Sequence, residues 1–177
     1  MTRLITDKKI SITTTLQDHQ VARLAALAIG LHLIEAIIPS PLPGVKPGIA
    51  NIVTLYVLYK FDFETAAWVS LLRVFAGSFL FGQFLTPTFM LSLSGALLSL
   101  FALYIGSHLS KKWFGPVSLS LLAAFAHIAA QLLVVRLWLI PSTGVSYLIP
   151  VFALAALIFG TLNGLVTLAL INKFNQK

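Results

Sequence analysis

Residues 21–60 read VARLAALAIGLHLIEAIIPSPLPGVKPGIANIVTLYVLYK, and this stretch decides the class of fold. A mostly apolar run at 21–38 is followed by a Pro/Gly loop at 39–48, which contains four prolines, and by a shorter apolar run at 49–60. A bilayer core about 30 Å thick needs roughly 20 apolar residues per helix. Proline removes a backbone donor and disfavours helical geometry before it. The stretch therefore predicts a membrane-spanning helix, an irregular loop and a second helix too short to cross an average bilayer upright.

The rest of the chain repeats the pattern of apolar runs separated by helix breakers. The runs cover 63–85, 88–108, 116–140 and 146–171. Of all residues, 58% are hydrophobic and 10% are charged, whereas globular proteins average about 45–50% and about 25%. We therefore predict an all-α integral membrane bundle of about six transmembrane helices. It forms a single domain at 21–171, flanked by cytoplasmic tails at 1–20 and 172–177.

Basic residues are distributed unequally among the segments between these runs. Positive residues are enriched on the cytoplasmic side of membrane proteins. With the N-terminus inside, the external segments hold only Lys46, whereas the cytoplasmic segments hold eight basic residues: Arg3, Lys8, Lys9, Lys60, Lys111, Lys112, Lys173 and Lys177. We therefore predict that both termini are cytoplasmic, in a bacterial-type inner membrane.

The composition argues against several classes of function. The net charge of +7 comes without the basic stripe of a nucleic-acid interface, so no nucleic-acid partner is predicted. The chain has no Cys, and its four His lack the spacing of a zinc site. It also lacks a nucleotide-binding Gly-rich loop and an Asp-rich cluster that could hold Mg²⁺. We therefore predict no catalytic residue, metal or cofactor, and we lean against an enzyme.

The Pro/Gly loop is the first indication of a binding site. Irregular backbone at membrane depth is tolerated only where it is buried in protein or lines a wet cavity. We therefore predict that residues 39–51 fold over or into a cavity for a small-molecule ligand. An ordinary external loop is the alternative.

Charged residues inside the apolar runs point to the chemistry of that ligand. Glu35 lies in helix 1 near His32, Arg73 lies near the middle of helix 3, and Arg136 lies toward the outer end of helix 5. A charge at the bilayer centre costs about 2.5–3.5 kcal/mol and is usually compensated inside the bundle. Because one carboxylate cannot neutralise two guanidiniums, and Lys46 adds a further charge, we predict a site for a carboxylate or phosphate. Alternatively, Arg136 extends to the lipid headgroups and Arg73 forms a structural pair with Glu35.

Neutral polar residues extend the candidate site. His127 and Gln131 share a face of helix 5 because they are four residues apart, and Asn51 opens helix 2. These three side chains are candidate ligand contacts. The alternative is that they join helices to one another, as intramembrane His, Gln and Asn commonly do.

Helix 1 also carries small residues at a spacing of four: Ala22, Ala26 and Gly30. Small residues at this spacing allow a neighbouring helix to approach closely. They indicate either a surface for a partner subunit or packing within the bundle.

The segments IIPSPLPGVKPGIANIVTLYVLY and LLRVFAGSFLFG resemble a bacterial membrane family known by two names, the Gx transporter family and heptaprenyl diphosphate synthase component I. The resemblance runs from about residue 22 to 170, and Pro-Gly-Val-Lys-x-Gly-x-Ala-Asn-Ile is its most specific part. The layout is also similar to the substrate-binding S components of energy-coupling factor (ECF) transporters, six-helix proteins whose loop after helix 1 caps an external ligand site.

The resemblance implies a function and a set of partners. In the S components, a small-residue motif of helix 1, matched here by Ala22 and Ala26, docks on a coupling transmembrane subunit, and separate subunits hydrolyse ATP. The first hypothesis is therefore an S-like component for uptake of a small anionic or zwitterionic solute, in contact with membrane lipid. The second is a non-catalytic membrane subunit of heptaprenyl diphosphate or isoprenoid-quinone synthesis. The third is a scaffold in which Arg73 and Glu35 pair only with each other.

Overall fold

The computed structural model describes residues 15–37, 47–109 and 115–175, and all regular secondary structure among them is helical. Five segments are long and apolar enough to cross a membrane. A π-helical turn (Val135–Leu139) follows the fifth helix, and a 3-10 segment (Thr143–Leu148) precedes the last. The predicted all-α membrane bundle is confirmed, and the chain is a multi-pass membrane protein. The helices are α1 (Leu16–Ile37), α2 (Ala50–Lys60), α3 (Phe63–Leu80), α4 (Pro87–His108), α5 (Pro116–Val134) and α6 (Ile149–Asn175).

Helix α1 begins at Leu16, five residues before the predicted start at 21. Thr15 and Asp18 cap this end reciprocally. The Thr15 amide donates to the Asp18 carboxylate at 2.7 Å, and the Asp18 amide donates to the Thr15 hydroxyl at 3.2 Å. Such a box satisfies N–H groups that have no partner within the helix. Local capping therefore extends the helix into a polar segment that hydropathy assigns to the tail.

Helix α3 ends at Leu80, five residues before the predicted end at 85. The chain then turns through Gly82 and Leu85, which both have φ of +63°. A positive φ is not helical, so the apolar run continues while the helix does not. Thr86 then caps α4, and Pro87 occupies its first position, where no backbone donor is needed.

The short helix α2 is packed between its neighbours. It contacts α1, α3 and α6, and five of its residues are buried. Val53 and Val57 pack against small residues of α1 and α3, whereas Leu55 packs against α4 and α5. The small partners, Ala25, Ala28 and Ala66, allow this close approach. An 11-residue helix is about 17 Å long, so α2 reaches only partway across the bundle.

The ends of the helices alternate between the two faces of the bundle. The ring of Tyr56, near the end of α2, lies 6.0 Å from the ring of Phe174, near the end of α6. Lys60 and Lys173 therefore lie at the same end, which is the end predicted to be cytoplasmic. The orientation in the membrane stays a prediction, and Lys46, Lys111 and Lys112 lie outside the described residues.

Candidate functional site

A cavity of about 110 Å³ lies between the helices, and all six contribute to its wall. A cavity that admits one water needs at least about 10–15 Å³ by the same measure, so this one has room for a small molecule. Its wall is mixed, with charged, amide, imidazole and apolar groups. The lining residues are His32, Glu35, Pro47, Gly48, Asn51, Arg73, Val74, Ser92, Ala124, His127, Ile128, Gln131, Ala155, Ala156, Phe159, Gly160 and Asn163.

The start of α2 points at this cavity. The backbone N–H of Ile49 donates to Oε1 of Glu35, a side chain that is only 3% exposed. The first N–H groups of a helix lack partners within it, and the helix dipole favours a negative charge there. Glu35 therefore caps α2, and its carboxylate lies at the wall of the cavity.

Arg73 also lies at the wall of the cavity, near the middle of α3. Its side chain is 5% exposed, and Nη1 donates to Oδ1 of Asn51 at 2.9 Å. Nε of Arg73 has no hydrogen-bond partner among the described residues. No salt bridge within 4.0 Å joins Arg73 to Glu35, although both are described and both line the cavity. The two opposite charges are therefore held apart by neutral partners.

Asn163 anchors the end of the Pro/Gly loop to α6. Its Nδ2 donates to the backbone oxygens of Pro47 and Gly48, at 3.0 and 3.1 Å. Gly48 has φ of +70°, and a Cβ there would lie 3.0 Å from Nδ2 of Asn51. Glycine is therefore needed where the loop meets α2.

Two histidines of the wall are seated against glycines of neighbouring helices. A Cβ on Gly77 would lie 2.5 Å from Cδ2 of His32, and a Cβ on Gly95 would lie 2.6 Å from Nε2 of His127. Nε2 of His127 also lies 3.1 Å from Nε2 of Gln131. The missing side chains of the two glycines create the space for the two imidazoles.

A second cavity of about 20 Å³ adjoins the first and shares Asn51, Arg73 and Asn163 with it. Hydroxyl groups line it, and Oγ1 of Thr54 forms no hydrogen bond within the described part of the chain. Hydroxyls elsewhere in these helices, such as those of Ser78 and Thr167, donate to backbone carbonyls of their own helix, which is the usual behaviour. The volume suits a single water. The hydroxyls that line it belong to Thr54, Ser70, Ser99 and Ser120.

The structure brings five of the seven predicted binding residues to one cavity: Glu35, Asn51, Arg73, His127 and Gln131. Arg136 does not line it. Its side chain is exposed, and Nη1 lies 3.5 Å from the hydroxyl of Ser146. The position on the π-helical turn at the end of α5 allows the long stem to reach out of the bundle, as the headgroup alternative expects. Lys46 lies outside the described residues, as does most of the predicted loop at 39–48.

Asn163, Ser92 and His32 line the cavity but are not among the predicted binding residues. The sequence signal for Asn163 is an amide in the long apolar run of α6. Intramembrane amides are costly unless they are paired, so this signal could have placed Asn163 in the candidate set. A lone serine carries no such signal, because it can bond to its own helix.

The predicted docking residues of α1 lie away from the bundle. Ala22 and Ala26 are exposed, and a Cβ on Gly30 would meet no atom within 4 Å. The alanines that pack inside the bundle are Ala25 and Ala28. Internal packing therefore does not account for the spacing of Ala22 and Ala26.

Comparison with known proteins places this architecture. The family model described as heptaprenyl diphosphate synthase component I matches residues 24–170. The chain belongs to this family. Its fold is similar to a solved structure of the S component of a bacterial ECF transporter, with a TM-score of 0.64 and 13% sequence identity over 90% of this chain and 98% of the other. A search of curated proteins gave no significant match.

Proposed function

We propose that this protein is a membrane-embedded substrate-binding component for uptake of a small anionic or zwitterionic solute. The bound solute occupies the 110 Å³ cavity and contacts Glu35, Asn51, Arg73, His127 and Gln131. The observation that carries the proposal is the buried guanidinium of Arg73 at the wall of the cavity, which forms no salt bridge with any carboxylate of the described residues. Buried charges in membrane proteins are paired or serve a ligand or ion, and the similarity to the S-component fold agrees with a ligand.

The geometry of the loop supports binding from the outer face. Glu35 and Asn163 bind the backbone at 47–49, so the end of the Pro/Gly loop lies against the cavity. With the N-terminus inside, this end of the bundle faces outward. In a bacterium, the protein would then reside in the cytoplasmic membrane.

The first experiment asks whether the cavity holds a molecule. The full chain is purified gently, and small molecules that remain bound are identified by mass spectrometry. Ala155 lines the cavity, so we expect Ala155→Phe to fill it and abolish retention. Leu157→Phe adds a ring on an exposed position of the same helix and should retain the molecule. Equal retention by Ala155→Phe and the wild type, with both folded, would rule out this cavity as the binding site.

We further propose that α1 docks on a coupling transmembrane subunit that is driven by ATPase subunits. The exposure of Ala22 and Ala26 supports this surface. Ala26→Phe should block the close approach of a partner helix and abolish uptake of the retained molecule without changing its retention. Leu27 is 52% exposed on the same helix, and Leu27→Phe serves as the matched control. If uptake by the two variants is equal, docking through this surface is wrong.

The description of the family favours a second candidate, a non-catalytic subunit associated with heptaprenyl diphosphate synthesis. A basic residue within an apolar bundle also suits a prenyl diphosphate. The retention experiment separates the two candidates. A retained prenyl diphosphate favours the second, and a retained water-soluble solute favours uptake.

A further inference from the structure

We infer that the solute is a zwitterion, whose cationic end faces Glu35 and whose anionic end faces Arg73. This inference rests on the proposed function and narrows its substrate class. Its basis is that Glu35 and Arg73, which carry opposite charges, both line the cavity without forming a salt bridge.

Among the described residues, the two charged side chains that line the cavity form no salt bridge with each other. Glu35 accepts from the Ile49 amide and Arg73 donates to the Asn51 side chain, and no salt bridge links the two. Both residues are nearly buried, at 3% and 5% exposure. A bundle that needed these charges only for stability would gain by bringing them together, because an isolated buried charge is costly. The two charges still attract each other, but without a direct contact each keeps hydrogen-bonding capacity that a guest of opposite charge can fill.

The groups between the charges keep them apart. Ile49 and Asn51 both lie at the start of α2, so one helix end binds the carboxylate through its backbone and the guanidinium through its side chain. Neither bond uses the full capacity of its charged partner. A carboxylate has two acceptor oxygens, and a guanidinium has five N–H donors. Each group can therefore bind the solute without breaking the contact that positions it.

A singly charged solute fits this arrangement less well. An anion would satisfy Arg73 but would bring a second negative charge close to Glu35. A cation would satisfy Glu35 and leave the guanidinium unmatched. Other polar groups of the wall include the amides of Gln131 and Asn163 and the imidazole of His127, which suit neutral hydrogen-bonding atoms.

The size of the cavity limits the solute. At about 10–15 Å³ per water-sized group, the volume of about 110 Å³ holds roughly seven to eleven non-hydrogen atoms. Small ω-amino acids of four carbons or more fall in this range, and the series varies the distance between the two charges one carbon at a time. They are therefore suitable probes for an unidentified solute.

The experiment measures the melting temperature of the full chain in detergent at constant ionic strength. The probes are ω-aminoalkanoates of three to six carbons, each compared with the alkanoate and the alkylamine of equal carbon number. We expect at least one zwitterion to stabilise the protein more than either singly charged analogue. Glu35→Gln keeps an acceptor for the Ile49 amide but removes the charge. The ratio of the affinity for the zwitterion to the affinity for its alkanoate should therefore fall about tenfold or more. Arg136→Gln, outside the cavity, should leave this preference unchanged.

Three results would overturn the inference: stabilisation by an alkanoate equal to that by its zwitterion, an unchanged preference in Glu35→Gln, or no stabilisation by any probe. The molecule retained by the wild type gives a second readout, since it must contain both a cationic nitrogen and an acidic group. A retained acid without a cationic group would overturn the zwitterion and leave the uptake proposal standing. Retention that is unaffected by Ala155→Phe would instead remove the uptake proposal itself.

Discussion

Arg73 and Arg136 are both arginines within membrane-spanning segments, and they have opposite surroundings. Arg73 lies inside the bundle, donates to Asn51 and lines the cavity. Arg136 is exposed on the π-helical turn after α5, and its Nη1 lies 3.5 Å from the hydroxyl of Ser146. The first belongs to an enclosed polar region, and the second belongs to the rim of the bundle.

The difference shows that depth along a helix decides what a membrane arginine does. Near the end of a helix, the flexible stem carries the charge to the polar interface at little cost. Near the middle of α3, the side chain of Arg73 is only 5% exposed, so its charge must be accommodated inside the bundle. Two arginines in equally apolar runs therefore have different surroundings, one inside the bundle and one at its rim.

The strongest test of the difference between the two arginines is to neutralise each of them in turn. Arg73→Gln should weaken retention of the bound molecule about 100-fold, because a charge-assisted contact is lost and Glu35 keeps its charge. Arg136→Gln should change retention less than about twofold, since its contact with Ser146 is long and exposed. Retention is measured by mass spectrometry on folded protein of both variants. Equal losses in the two variants would contradict the assignment of Arg73 to the site and Arg136 to the rim.

The sequence predicts the fold well because the membrane limits the choices. Runs of apolar residues, separated by Thr86-Pro87, Gly115-Pro116 and the Pro/Gly loop, are enough to locate six helices, including the short α2. Two of the shifted boundaries depend on local bonding that hydropathy does not contain. One is the reciprocal capping of Thr15 and Asp18, and the other is the positive φ of Gly82.

The cavity is predicted less completely than the fold. Charged and amide residues are so rare in these helices that listing them recovers Glu35, Asn51 and Arg73, which the structure brings to one wall. The same listing would include Asn163, but its role depends on a contact with Pro47, 116 residues away in the chain. A single sequence indicates that such an amide needs a partner, but it does not indicate which one.

Substitutions at two glycines, one facing the cavity wall and one facing open space, test the difference between the enclosed region and the rest of the bundle. Gly95 faces His127, and Gly30 faces open space. Gly95→Ala places a Cβ within 2.6 Å of the imidazole, so the ring must move, and we expect retention to fall about tenfold with a lower melting temperature. Gly30→Ala adds a Cβ to an unobstructed position in α1, where alanine is favoured over glycine by about 0.5–1 kcal/mol.

Gly30→Ala should therefore keep full retention and raise the melting temperature slightly. Both quantities are measured on the same preparations, so a general loss of folding is distinguished from a displaced imidazole. If Gly95→Ala lowers the melting temperature but retains the molecule as the wild type does, His127 is a packing residue rather than a ligand contact. The enclosed region would then bind its solute through the α1, α2 and α3 side alone, where Glu35, Asn51 and Arg73 lie.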